Sequence, residues 1–152
     1  MEYVHYGHKE FDESLFQPIQ NDLFVKPNGG LWASPIGAKN GWKEWCEAEN
    51  FKDCESSNSF RFSLSDNANV LHLRCTEDLK RLPLNPKAIG YALISKYWLD
   101  FEQILNSGID AIEVHISEDN GDDWHDSLYY NLYGWDCDSI LIMNKDIVEV
   151  IK

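Results

Sequence analysis

Three short segments of this chain carry side chains that could bind a polar ligand. The first is His5-Tyr6-Gly7, where a histidine at the end of a strand could donate a hydrogen bond to a sugar hydroxyl. The same histidine can equally be a polar strand-end residue with nothing bound. On its own, this segment leaves both interpretations open.

The second segment runs from Gly29 to Pro35 with the sequence GGLWASP. Two glycines allow the backbone to approach a ligand closely, and Trp32 offers a flat face for stacking. The alternative is a hairpin corner with Trp32 in the core.

The third segment is Trp135-Asp136-Cys137-Asp138-Ser139, which leads into an apolar run. In an extended chain, Asp136 and Asp138 would share one face, because side chains alternate with a period of two. A carboxylate there could bond a ribose hydroxyl or stabilise positive charge on a sugar carbon. The alternative is that both aspartates only shape the turn before the strand.

Metal chemistry has weaker support in the sequence. None of the four cysteines forms a C-x-x-C pair, and the spacing His72-x-x-Cys75 lacks a second pair to complete a site. We therefore expect no metal. His8 and His125 fit surface positions, and His125 lies in an acidic loop expected over Ser117–Asp126.

Hydrophobic periodicity predicts the elements that position these segments. Strand-like runs lie at Glu2–Tyr6, Leu31–Ser34, Phe60–Leu64, Asn69–Cys75, Ile109–Ile116, Ile140–Met143 and Ile147–Ile151. Helical spacing occurs at Trp42–Phe51 and Lys96–Asn106, Thr76 could cap a short helical turn through Leu79, and Ser127–Tyr133 could form a helix or turn. About six short strands with two or three helices, out of strict βαβ order, predict one α+β domain over residues 1–152 with a mostly antiparallel sheet.

The charge of the chain limits its partners. With 26 acidic and 13 basic residues the formal net charge is −13, which repels phosphate backbones. A protein acceptor or partner is therefore favoured over a nucleic acid. No apolar run has the roughly 20 residues that a membrane span needs. Residues 1–7 do not resemble an export signal, so we expect a cytoplasmic protein with reduced thiols.

Taken in order, the three segments resemble the ADP-ribosyltransferase superfamily, which includes the poly-ADP-ribose polymerases. That family has a histidine on its first strand, an aromatic residue after a glycine-rich turn, and an acid that opens a late strand. His5, Trp32 and Asp138 correspond to these positions. The stretches FEQILNSGIDAIEV and YGWDCDSILIMN also look like bacterial and phage relatives. The family usually has Tyr in place of Trp32 and Glu in place of Asp138.

The resemblance implies a split sheet, with NAD as the substrate. His5, beside Tyr6, would bind the adenosine ribose, and Trp32 would stack on the nicotinamide. Gly30 would contact the nicotinamide amide, and Ser34 would bond the nicotinamide ribose or support His5. Asp138 would be the catalytic acid, with Asp136 as the second candidate.

The leading hypothesis is transfer of ADP-ribose from NAD to a macromolecular acceptor. Two alternatives stay open: a non-catalytic protein-interaction module on the same fold, and an NAD glycohydrolase that uses water as the acceptor.

Overall fold

A computed structural model describes residues 1–22, 25–87, 96–119 and 123–151. These ranges contain seven strands: β1 (Glu2–Tyr6), β2 (Leu31–Pro35), β3 (Ser59–Leu64), β4 (Val70–Leu73), β5 (Ala111–Val114), β6 (Ser139–Ile142) and β7 (Val148–Val150). They also contain four α-helices: α1 (Trp42–Ala48), α2 (Thr76–Leu79), α3 (Phe101–Asn106) and α4 (Leu128–Asn131). The predicted α+β class is confirmed: each of the seven strands overlaps one of the strand-like runs, and the fourth helix lies where a helix or turn was predicted.

The seven strands form one mixed sheet in the order β4-β5-β6-β2-β1-β3-β7. Every neighbouring pair is antiparallel except β4 with β5, which is parallel. A parallel pair requires a crossover, and the chain between these two strands includes α2 and α3. The mostly antiparallel character expected from the sequence is therefore present.

β1 and β2 are held together by only a short stretch of pairing. Tyr3 pairs with Pro35 and Val4 with Ser34. Continuing this register would place His5 opposite Ala33, but in the described sheet the two strands no longer pair there. The strands separate at the end of β1, and this separation creates the cleft described below.

Apolar side chains cover both faces of the sheet. One cluster includes Leu73, Ile112 and Leu141, whereas the other includes Tyr3, Phe62 and Ile140. All residues of the central strands β5 and β6 are buried. The continuous apolar run expected to form a buried strand at 140–143 therefore does so, because both of its faces are covered.

Two predicted helix starts are wrong. Thr76 is not a cap but the first residue of α2; Cys75 is the N-cap, and the Asp78 side chain accepts from the Cys75 backbone N–H at 3.2 Å. The helix expected from Lys96 begins only at Phe101, because the Asp100 side chain accepts a hydrogen bond from the Gln103 backbone and caps it.

The acidic loop expected over residues 117–126 lies partly outside the described residues, which exclude 120–122. Among the helices that the structure describes, none has the length and apolar character needed to cross a membrane.

Candidate functional site

The separation of β1 from β2 opens a cleft of about 250 Å³. Its walls combine aromatic rings, two lysines, one histidine and one carboxylate. Five of the seven site residues predicted from the sequence lie in this wall: His5, Tyr6, Trp32, Ser34 and Asp136. Residues far apart in the chain thus meet at the place where the sheet opens.

His5 closes the gap between the two strands with its ring. Its Nδ1 lies 2.7 Å from the carbonyl oxygen of Trp32, and its Nε2 lies 3.1 Å from Nδ1 of His8. Because a carbonyl only accepts, Nδ1 carries the proton, and in the neutral ring Nε2 is an acceptor. His5 therefore presents an acceptor to a ligand, in contrast to the donor role expected from the sequence.

Burial keeps the His5 ring neutral. Desolvation lowers the pKa of His5 below its ordinary value of 6.5, and the nearby charges of His8 and Lys52 lower it further. The bond to the Trp32 carbonyl opposes this shift, since it favours the protonated ring.

Trp32 is half-buried and serves both the core and the cleft. Its ring meets Trp135 in an edge-on arrangement with ring centres 4.6 Å apart. The Lys26 ammonium lies 4.9 Å from the centre of the Trp32 ring. The two sequence-based interpretations of Trp32, a core residue and a stacking surface, are thus compatible.

Two lysines that the sequence analysis did not identify give the cleft a positive character. Lys26 is half-buried, and desolvation lowers its pKa. Lys52 lies 5.2 Å from the centre of the Trp42 ring. Each lysine is thus paired with a tryptophan, although they lie in unrelated loops. No sequence signal could have found this pattern.

Gly30 lies in the turn before β2 and lines a neighbouring hollow of about 150 Å³, together with His5 and Trp32. Its φ angle is +71°, and a Cβ atom there would lie 2.7 Å from the carbonyl oxygen of Ile142. Glycine is required for packing against β6 and for the positive φ angle.

Ser34 is 2% exposed, and its hydroxyl is fully used by the fold. It donates to the Asp138 carbonyl oxygen at 3.1 Å and accepts from the Trp42 backbone N–H at 2.9 Å. Ser34 therefore ties the start of α1 to the entry of β6. It does not bond His5 in the described structure.

The two predicted acids have different surroundings. Asp136 lines the cleft, whereas Asp138 is absent from its described wall and is 7% exposed. The Asp138 carboxylate accepts from the Ser117 backbone N–H at 2.8 Å and from the Ser117 hydroxyl at 2.5 Å. The expectation that both acids share one face is wrong, because residues 136–138 precede β6 and bend at 137–138.

Cys137 lies between the two acids and also lines the cleft. Burial raises the pKa of its thiol to about 12, so the thiolate is scarce near neutral pH. Because the thiolate is the reactive form of cysteine, thiol chemistry has little support at this site.

A second polar cluster, His72 with Glu113 and His115, lies on β4, β5 and the residue after β5. Glu113 is completely buried. The spacing His72-x-x-Cys75 does not form a pair, because the Cys75 thiol lies 3.7 Å from Asp78. Glu113 was missed because a glutamate in an alternating strand normally indicates a solvent-facing position.

Comparison of the chain with protein-family models, with curated proteins and with solved structures finds no match.

Proposed function

We propose that this chain is an NAD-binding ADP-ribosyltransferase-like enzyme that breaks the bond between nicotinamide and ribose and transfers ADP-ribose to a macromolecule. The observation that carries the proposal is the shared cleft of His5, Tyr6, Trp32 and Asp136. These residues come from three distant parts of the chain, and their chemistry matches a flat ring joined to a sugar.

The charges around the cleft support a ligand that is both aromatic and anionic. In a chain with a formal net charge of −13, Lys26 and Lys52 both line the cleft. A pyrophosphate beside the lysines and a ring beside Trp32 would satisfy both features. The volume of about 250 Å³ suits the nicotinamide riboside half of NAD, with the adenosine half along the rim.

Asp136 is the better candidate for the catalytic acid. Its carboxylate borders the cleft, whereas the Asp138 carboxylate is occupied by Ser117. As the bond between ribose C1′ and the nicotinamide nitrogen breaks, positive charge develops on the sugar, and a nearby carboxylate stabilises it. The bonding electrons leave with nicotinamide as a neutral molecule, and the acceptor nucleophile then attacks C1′ while its proton passes to solvent.

His5 would hold the substrate rather than transfer a proton. Its Nδ1 is fixed by the Trp32 carbonyl, which leaves Nε2 free to accept from a ribose hydroxyl once His8 moves aside. Ser34 lies in the cleft wall and Asp138 behind it, and the bond from the Ser34 hydroxyl to the Asp138 carbonyl oxygen fixes the segment that carries Asp136.

The acidic surface supports a protein acceptor over a nucleic acid, and a cytoplasmic location belongs to the same proposal. An NAD glycohydrolase would differ only in using water at the final step. An interaction module would have the same cleft without bond cleavage.

The test is release of free nicotinamide from NAD by the purified chain. Wild type should release it, and Asp136→Asn should lose at least about tenfold in rate, since one electrostatic stabiliser of a transition state is worth about that much or more. Asp66→Asn removes an exposed carboxylate in a turn and serves as the matched control, with an unchanged rate.

Labelled NAD then distinguishes the alternatives. Label on a protein acceptor supports transfer, whereas free ADP-ribose alone supports the glycohydrolase. Absence of both nicotinamide release and NAD binding by calorimetry would contradict both enzyme hypotheses and leave the protein-interaction module.

A further inference from the structure

The polar cluster on β4 and β5 contains a buried carboxylate oxygen that accepts no hydrogen bond from the described residues. Glu113 is 0% exposed; its Oε2 accepts from the Tyr3 hydroxyl at 2.9 Å, but Oε1 has no hydrogen-bond partner among the described residues. An unsatisfied carboxylate oxygen in an apolar interior is expensive, and buried charges normally have a partner or bind a metal. Oε1 of Glu113 is therefore a candidate ligand for a cation.

Two imidazoles converge on this carboxylate. Strand pairing puts His72 directly opposite Glu113, and His115 follows β5 on the same side. Nδ1 of His72 lies 3.1 Å from Nε2 of His115 and 3.5 Å from Oε2 of Glu113. Nε2 of His115 lies 3.8 Å from Oε1 of Glu113.

These separations fit the ligands of one small metal ion. Zinc bonds of about 2.0–2.1 Å in a tetrahedral site put neighbouring ligand atoms roughly 3.3–3.4 Å apart. The three observed distances join the two ring nitrogens to each other and each nitrogen to a different oxygen of Glu113, and they surround that value. Small shifts would therefore bring both nitrogens and one oxygen of this carboxylate into contact with one ion.

A supporting partner already orients one of the imidazoles. Nδ1 of His115 lies 3.4 Å from Oε1 of Glu118, so that Nε2 points into the cluster. Glu118 in turn accepts from Arg74 at 2.6 Å. A carboxylate behind a histidine is the usual second layer of a metal site, where it fixes the ring and raises its basicity.

We propose that His72, Glu113 and His115 form a binding site for a divalent transition-metal ion such as Zn²⁺. The ion joins β4, an edge strand, to β5 through side chains, and it satisfies the buried Oε1 of Glu113. Three protein ligands leave a fourth position for water, and the side chain of His72, 42% exposed, lies on the entry route. This proposal departs from the sequence-based expectation of no metal.

The same geometry also fits a hydrogen bond between His72 and His115 with no ion present, and metal titration separates the two states. Protein stripped with a chelator and kept reduced should bind one equivalent of Zn²⁺ by calorimetry, with a rise in melting temperature. Co²⁺ in place of Zn²⁺ should give the visible absorption of a tetrahedral site. Absence of saturable binding would overturn the proposal.

Variants show which residues hold the ion. Glu118→Gln should weaken Zn²⁺ binding roughly 10–100-fold, the usual effect of losing a supporting partner, and His72→Ala should weaken it more. His125→Ala, at an exposed histidine elsewhere, should leave the affinity unchanged. Unchanged Zn²⁺ affinity in His72→Ala would reject the site. If Cys75→Ser lost Zn²⁺ binding while Glu118→Gln kept its full affinity, the ion would be assigned to His72 and Cys75 instead.

Discussion

The ammonium of Lys26 lies 4.9 Å from the centre of the Trp32 ring, at the mouth of the cleft between β1 and β2. A cation over an indole is attracted by the negative face of the ring. It also occupies the surface on which a flat ligand would stack. Lys26 must therefore move when a ring binds there, and a phosphate on the same ligand is the natural new partner for its ammonium.

Lys26→Gln should weaken NAD binding about tenfold at low salt, since a hydrogen bond to a charged group is worth roughly 1.5–3 kcal/mol. The wild-type affinity should fall with added salt, and the variant affinity should fall less. Calorimetric titration of NAD at several salt concentrations measures both effects.

Lys80→Gln provides the control, because Lys80 is exposed and pairs with Glu77 away from the cleft. Tighter NAD binding by Lys26→Gln would contradict the prediction and would mean that Lys26 chiefly blocks the ring of Trp32.

The lowered pKa of His5 predicts a pH dependence of stability. Between the pKa of His5 in the folded protein and its ordinary value of 6.5, the unfolded chain binds the proton and the folded chain does not. Acidification through this window therefore favours unfolding, and the contribution of His5 to stability is fully present only above the ordinary pKa.

The replacement His5→Asn retains an N–H donor for the Trp32 carbonyl but does not titrate. The free energy of unfolding of wild type relative to His5→Asn should fall as the pH decreases from about 7.5 to about 5. Urea unfolding of both proteins at several pH values in this range measures the difference between their free energies of unfolding. A relative stability that rises on acidification would show that the fold favours the protonated ring.

Replacing Asp138 should lower the stability of the protein, whereas replacing Asp136 should lower its activity. Asp138→Asn replaces the carboxylate that accepts two bonds from Ser117, so we expect a loss of about 1–3 kcal/mol in the free energy of unfolding. Asp136→Asn should change stability by less than about 0.5 kcal/mol while reducing nicotinamide release.

Denaturant unfolding and the NAD assay on the same preparations give both quantities. Ser117→Ala should reproduce part of the Asp138→Asn destabilisation, because it removes only the hydroxyl donor. A stable Asp138→Asn protein that fails to release nicotinamide would make Asp138 the acid.

Gly30 and Gly108 both have positive φ angles but differ in the space around them. A Cβ on Gly30 would lie 2.7 Å from the Ile142 carbonyl oxygen and from the side chain of Leu141, whereas a Cβ on Gly108 would have no neighbour within 4 Å. Gly108→Ala should lose about 1–2 kcal/mol of unfolding free energy from backbone strain alone. Gly30→Ala should lose more, because β6 must also move.

Thermal or denaturant unfolding compares these two variants directly. Equal losses would show that the turn before β2 can shift away from β6 without penalty.

Hydrophobic periodicity was sufficient to locate most elements but not all of their ends. The bounds of β1 were predicted as observed, because its aromatic and β-branched residues stop at Gly7. The start of α3 was not, since Tyr97 and Leu99 also fit helical spacing. Only the hydrogen bond that the Gln103 backbone N–H donates to the Asp100 side chain fixes the boundary. Such a bond depends on where the chain turns, which periodicity does not report.

For the candidate site, the sequence by itself determined the residue types: a histidine ending β1, two glycines before Trp32, and two aspartates before β6. Only the tertiary structure decided which aspartate faces the cleft, because a bend at 137–138 replaces the alternation of an extended strand. The lysines of the cleft and the buried Glu113 depend on contacts between distant segments, and those contacts form only when the sheet assembles.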